Sequence, residues 1–154
     1  MKPLIETNQR ALNIAILLLR LMTGLILFVA GAGKVLGWFG GFGITSTLEI
    51  FRTNMHLSAF WAYISSYTEF IGGFLIMFGL LTRFASIALL INMLVATLLV
   101  GFKNFFMGGA AYPCLLFVIF LVFVLTGPMA YSIDALLSNK KEKERMKLNL
   151  SAAF

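Results

Sequence analysis

Apolar residues run almost unbroken over 11–36, 59–81, 84–100 and 110–126, and glycine, aromatic or charged residues gather between the runs. At a rise of about 1.5 Å per residue the first two runs exceed a hydrocarbon core of about 30 Å, and the last two approach it with their flanking residues. The pattern predicts an all-α integral membrane protein, a four-helix bundle forming a single transmembrane domain. The first run has a charged start and an Ala30-Gly31-Ala32 triplet, which imitate a secretory signal. Its length and the interruption at Arg20 argue instead for a retained spanning helix. Gly37-Trp38-Phe39-Gly40-Gly41-Phe42-Gly43 then suits a chain leaving the hydrocarbon for the interface. Over 45–55, Leu48, Phe51 and Met55 recur at helical spacing while Glu49, Arg52 and Asn54 point elsewhere. This predicts a short interfacial helix between the first two spans. Thr82-Arg83 leaves room only for a tight turn between antiparallel neighbours, 101–109 forms a loop, and Gly127-Pro128 closes the fourth run before a basic tail over 138–154.

Composition agrees. With 60% hydrophobic residues, 12% charged residues and a mean hydropathy of +0.96, the chain has too little polar surface to cover a soluble core, so its surroundings are the lipid bilayer. The net charge of +6 does not point to nucleic acid. Lys140, Lys141, Lys143, Arg145 and Lys147 crowd behind the last apolar run, where anionic headgroups account for them. With four spans, Lys2, Arg10, Arg83 and this tail share one side, against Lys34, Arg52 and Lys103 on the other. The positive-inside rule then places both termini in the cytoplasm. A lone Cys114 excludes an internal disulfide and a lone His56 excludes a bis-histidine haem site. No cluster has metal-ligand spacing, so neither metal nor haem is expected.

Glu69 stands inside the second run, where an ionisable group needs a protein partner or a water-filled cavity. At about 100° per residue, Arg20, Gly24, Gly31 and Lys34 share one narrow face of the first helix. Ala62, Ser65, Glu69 and Gly73 share a face of the second, and Ala85, Ala88, Asn92 and Ala96 one of the third. Small residues allow close approach and polar ones seek partners across it. These faces predict that helices 1 to 3 enclose a polar interior, covered by a more lipid-exposed fourth helix bearing Phe117, Phe120 and Phe123. By depth Glu69 falls between Arg20 and Lys34, with Arg20 the nearer, so Arg20 is the expected partner and Lys34 either pairs or snorkels outward. Arg83 and Asp134 are expected as a structural salt bridge at the cytoplasmic rim.

The ordered set Leu19-Arg20 with Gly24, Gly31 and Lys34 with Gly37-Trp38, Glu69 with Gly72-Gly73, Gly79-Leu80-Leu81-Thr82-Arg83, Asn92-Met93 with Ala96, and Gly127-Pro128 with Ser132 and Asp134 resembles the DoxX family of small four-helix membrane proteins. Met129-Ala130 departs from a glycine carried there by many members. The resemblance implies a bacterial or archaeal cytoplasmic (inner) membrane location and a role as a small subunit of thiosulfate:quinone oxidoreductase or terminal oxidase assemblies. It also implies the alternative of a non-catalytic anchor recruiting a redox enzyme; association into a homo-oligomer is a separate expectation. In a quinone-linked reaction Glu69 would exchange a proton, Arg20 or Lys34 would hold its charge or a quinone carbonyl, Asn92 would belong to the polar network, and Trp38, Phe39 and Tyr67 would line the ring. Alternatively, Glu69 and a cation pin the helices in register and the aromatics form an interfacial belt. A proton-coupled transporter has little room in four helices without an internal repeat.

Overall fold

The structure, a computed structural model, describes residues 8–100, 109–128 and 131–151, with side chains as far as 146. Lys2, Lys103, Met129-Ala130, most of the 101–109 loop and the side chain of Lys147 lie outside these residues. Among the described residues the elements are helices α1 (Gln9–Leu36), α2 (Gly43–Asn54), α3 (Ala59–Phe78), α4 (Thr82–Val100), α5 (Ala111–Thr126) and α6 (Ile133–Ser151), with a 3-10 turn at Trp38–Gly40 and no strand. α1 and α4 have the length and hydropathy needed to cross a membrane; α5 is a shorter apolar helix of 16 residues. α3 has 20 residues but carries Ser65, Ser66, Thr68 and Glu69, which lower its hydropathy.

Local chemistry sets the boundaries. Asn8 caps α1 by accepting from the N–H of Arg10 (3.1 Å), and Gly37 ends it in the left-handed region at φ 73°. α3 was expected to run to 81 but stops at Phe78. Gly79 takes φ 67° and donates to the carbonyl of Ile76 (3.1 Å) while Leu80 donates to that of Leu75 (2.9 Å), the paired bonds that close a helix behind a glycine. α4 accordingly starts at Thr82, two residues before the apolar run suggests. The amphipathic stretch forms α2, and the basic tail, expected only as a charged segment, is helical.

α1 and α3 make the most extensive contact, antiparallel along their length. A methyl added at Gly73 would stand 2.5 Å from the backbone nitrogen of Phe28, and one at Gly24 would stand 2.7 Å from that of Met77. The two backbones therefore touch where glycine removes the side chains, as the small-residue faces of these helices require. α4 packs chiefly on α5 through a core of Leu89, Met93, Phe120 and Phe123. Phe120 and Phe123 are fully buried, so these phenylalanines pack inward, and the exposed face of α5 is formed by Leu115, Val118, Leu121 and Leu125 instead. On α4, Leu89 and Met93 join that core, Leu89 also reaching Gly72 of α3, while the stripe of Ala88, Asn92 and Ala96 lines a separate space.

The α3–α4 turn, the start of α6 and Arg20 lie together at one end of the bundle, called here the basal end. α2 and the end of α1 mark the opposite, apical end.

Candidate functional site: an ion pair on the floor of an interhelical cleft

Glu69 is 5% exposed on α3, and Lys34 Nζ of α1 donates to its Oε2 at 2.6 Å. Asn92 of α4 donates through Nδ2 to Oε1 at 3.3 Å, so each carboxylate oxygen has one donor and three helices meet at one group. A carboxylate in an apolar environment persists as an ion only when paired in this way. Lys34 keeps about a third of its side chain exposed, whereas Glu69 keeps 7%.

Arg20 is elsewhere. The antiparallel packing sets Gly24 against Met77 and Gly31 against Phe70, which puts Lys34 opposite Glu69 and Arg20 beside Gly79. Arg20 is the nearer cation only if the start of the first apolar run is level with Arg83 at the end of the second. In the structure α1 extends past the α3–α4 turn by roughly 16 Å, from Gln9 to Leu19, at 1.5 Å per residue. Arg20 is therefore at the basal end, 3% exposed, donating through Nη1 to the carbonyl of Pro128 (2.8 Å) and through Nη2 to that of Tyr131. Asp134 attracts it electrostatically.

Arg83 and Asp134 form no ion pair within 4 Å. Asp134 instead accepts from the N–H groups of Leu81 (2.9 Å) and Thr82 (2.9 Å) and from Thr82 Oγ1 (3.1 Å), while its own N–H donates to Gly79 (3.1 Å). A carboxylate on the free N–H groups at the start of α4 satisfies donors that the helix cannot, and it meets the positive end of the helix dipole. It also holds Leu81 at φ 46°, a backbone conformation unusual for leucine. Exposed Arg83 packs beside Gly127.

Above the ion pair, on its apical side, α3 and α4 separate and leave a partly open cleft of about 620 Å³. Its α3 wall is Trp61, Ile64, Ser65, Thr68 and Glu69. Its α4 wall is Ala88, Ile91, Asn92, Val95, Ala96 and Leu99. Thr47, Ile50 and Phe51 of α2 close the apical side, and Lys34 reaches in from α1. Thr47 is 5% exposed and donates to the carbonyl of Lys34 (3.2 Å), which ties α2 to the residue that holds Glu69. Tyr112 of α5 lies within the electrostatic reach of Glu69.

Neither Trp38 nor Tyr67 lines this space. Trp38 is exposed in the 3-10 turn, and Tyr67, two residues and about 200° around the helix from Glu69, stacks on Tyr63 with ring centroids 6.4 Å apart. The aromatics at the cleft are Trp61, Phe42 and Phe51. Trp61 had a sequence signal that faces centred on Glu69 overlooked: 61, 64, 65 and 68 repeat at i, i+3, i+4 and i+7, as do 88, 91, 92 and 95 on α4. Among the described residues no group of three or more His, Cys, Asp or Glu is placed to hold a metal ion.

The DoxX family model matches residues 15–101, which span the Lys34, Glu69 and Asn92 cluster. The chain is 34% identical to "Putative oxidoreductase CatD" of Bacillus subtilis (strain 168), over 82% of this chain and 89% of that protein. It is 29% identical to "Inner membrane protein YqjF" of Escherichia coli (strain K12), over 83% of this chain and 95% of that protein. No solved structure matches it. With the family match over more than half its length and a relative of this identity along most of both chains, the protein belongs to the DoxX family of membrane proteins.

Proposed function

We propose that this protein is a small subunit of a quinone-linked membrane oxidoreductase system, with the cleft above Glu69 as the quinone site. α1, α3, α4 and α5 cross the inner membrane as a single domain, α2 lies at the outer interface, and both termini are cytoplasmic, the side on which Arg10, Arg83 and the α6 cations gather. The observation that carries the reading is the coincidence of the ion pair with the cleft. A carboxylate serving only to hold helices in register needs a partner and no adjacent space, whereas Glu69 has both.

The chemistry fits a neutral, lipid-soluble ring. Lys34 and Glu69 cancel, so the cleft presents no net charge to attract a free anion, while its side walls are mainly apolar, with Trp61 among the aliphatic residues. Lys34 Nζ, Asn92 Nδ2 and the hydroxyls of Ser65 and Thr68 are donors along the cleft for ring oxygens, and the Glu69 carboxylate is the group able to take a proton from a quinol or return it to a reduced quinone. A redox partner subunit exchanges the electrons. The name of the Bacillus subtilis relative, an oxidoreductase, supports the same class.

The test is binding of a short-tailed quinone to purified protein, followed by quenching of Trp61 in a Trp38→Phe background. Saturable quenching that weakens roughly tenfold or more in Glu69→Gln is expected, the effect of losing at least one charge-assisted contact. Absent binding, or binding indifferent to that substitution, overturns the reading. A partner protein lost on deleting 140–147, with Glu69→Gln harmless, would favour a recruiting anchor.

A further inference from the structure

The cleft makes no use of α6. The first turn of this helix is fixed to the basal end by Asp134, whose carboxylate sits on the first N–H groups of α4 and whose own N–H reaches Gly79. α6 therefore begins level with the start of α4, at the basal end beside exposed Arg83. Beyond that turn it is free of the bundle: every residue from 136 to 146 is exposed, with Leu136 at 68%. At about 100° per residue, Leu136, Lys140 and Lys143 fall within an arc of about 60°. Lys147 continues the spacing in the sequence. Glu144 flanks this stripe, and Glu142 lies about 130° from its middle.

We infer that α6 is an arm that binds the anionic lipid surface, with Leu136 at the boundary between headgroups and acyl chains and Lys140 and Lys143 against lipid phosphates. The placement rests on the chain sitting in a membrane and is independent of the quinone reading. Lys140 and Lys143 follow Leu136 by about 6 Å and 10 Å along the helix, close to the distance of about 8 Å over which physiological salt leaves a charged surface felt. The tether at Asp134 keeps the arm beside the bilayer permanently, so weak attraction per lysine is enough to hold it there. An acidic protein would account for the lysines but not for an exposed leucine on the same stripe, one turn from the tether at the basal end.

The full-length chain in a Cys114→Ser background, labelled with a small fluorophore at Leu136→Cys or at Ser138→Cys on the opposite side of the helix, tests this in lipid nanodiscs. In discs containing phosphatidylglycerol, quenching by aqueous acrylamide at 136 is expected to fall about three-fold relative to phosphatidylcholine discs, with 138 unchanged. Lys140→Gln with Lys143→Gln and Lys147→Gln should restore the quenching, as should high salt. Equal quenching in both lipids overturns the inference, as does protection that survives the lysine substitutions. Protection that appears only when polyglutamate is added overturns it in favour of an acidic protein partner.

Discussion

Lys34 of α1 and Glu69 of α3 meet at 2.6 Å on the floor of the cleft, and the pair joins the two helices in closest contact. Glu69→Gln leaves the lysine without its counter-charge. Breaking a fully buried pair costs 3–5 kcal/mol, but Lys34 retains solvent or ligand contact through about a third of its side chain, so a loss of about 1–2 kcal/mol is expected. Adding Lys34→Met should recover most of that stability without recovering quinone binding. Thermal unfolding in detergent read beside the quenching titration separates a site that merely pins helices from one that holds a ligand.

Space in the cleft can be removed without touching the ion pair. Ala88 lies on the open α4 wall and is exposed there, so Ala88→Phe fills volume rather than overpacking a core. Quinone binding should weaken about tenfold or more while the melting temperature stays within a few degrees, since substitutions away from packed features change stability little. A quinone bound elsewhere would be indifferent to this change.

The glycines at the α1–α3 and α3–α4 contacts should differ in their tolerance. A methyl at Gly73 meets the backbone of α1, which can yield only if the helices separate; one at Gly72 meets the side chain of Leu89 at 2.9 Å, which can shift. Gly73→Ala should cost about 2–3 kcal/mol and Gly72→Ala about 1 kcal/mol or less, measured by unfolding in detergent.

Arg20 and Asp134 organise the basal end. Arg20→Lys should be nearly as damaging as Arg20→Ala, at about 2–3 kcal/mol, because a single ammonium cannot reproduce the fork that serves the carbonyls of Pro128 and Tyr131. Quinone binding to the folded fraction should be unchanged, since this arginine is remote from the ion pair.

Asp134→Ala removes a helix cap and should cost about 1–2 kcal/mol, whereas Arg83→Ala should leave stability unchanged within error. Equal effects of the two changes in the same unfolding assay would instead indicate a salt bridge between them.

The helical class, the positions of the helices to within a few residues, the membrane setting and the family were legible in the chain. Hydropathy and helical periodicity are local properties, and the lipid environment forces every backbone group to find its partner within its own helix. Glu69, Lys34 and Asn92 were legible as members of a polar set for the same reason, since each stands out within its own run. Which cation meets Glu69 was not. That depends on how far α1 slides along α3, and the glycine contacts that set this register are a relation between two segments distant in sequence. Only tertiary structure decided that Arg20 serves the loop before α6, that Asp134 caps α4 rather than pairing with Arg83, and that α4 turns its bulky side to α5. That last choice leaves the alanine stripe and Asn92 facing α3 across an open space, so each wall repeats at helical spacing within its own helix but the gap between the walls is a product of helix packing.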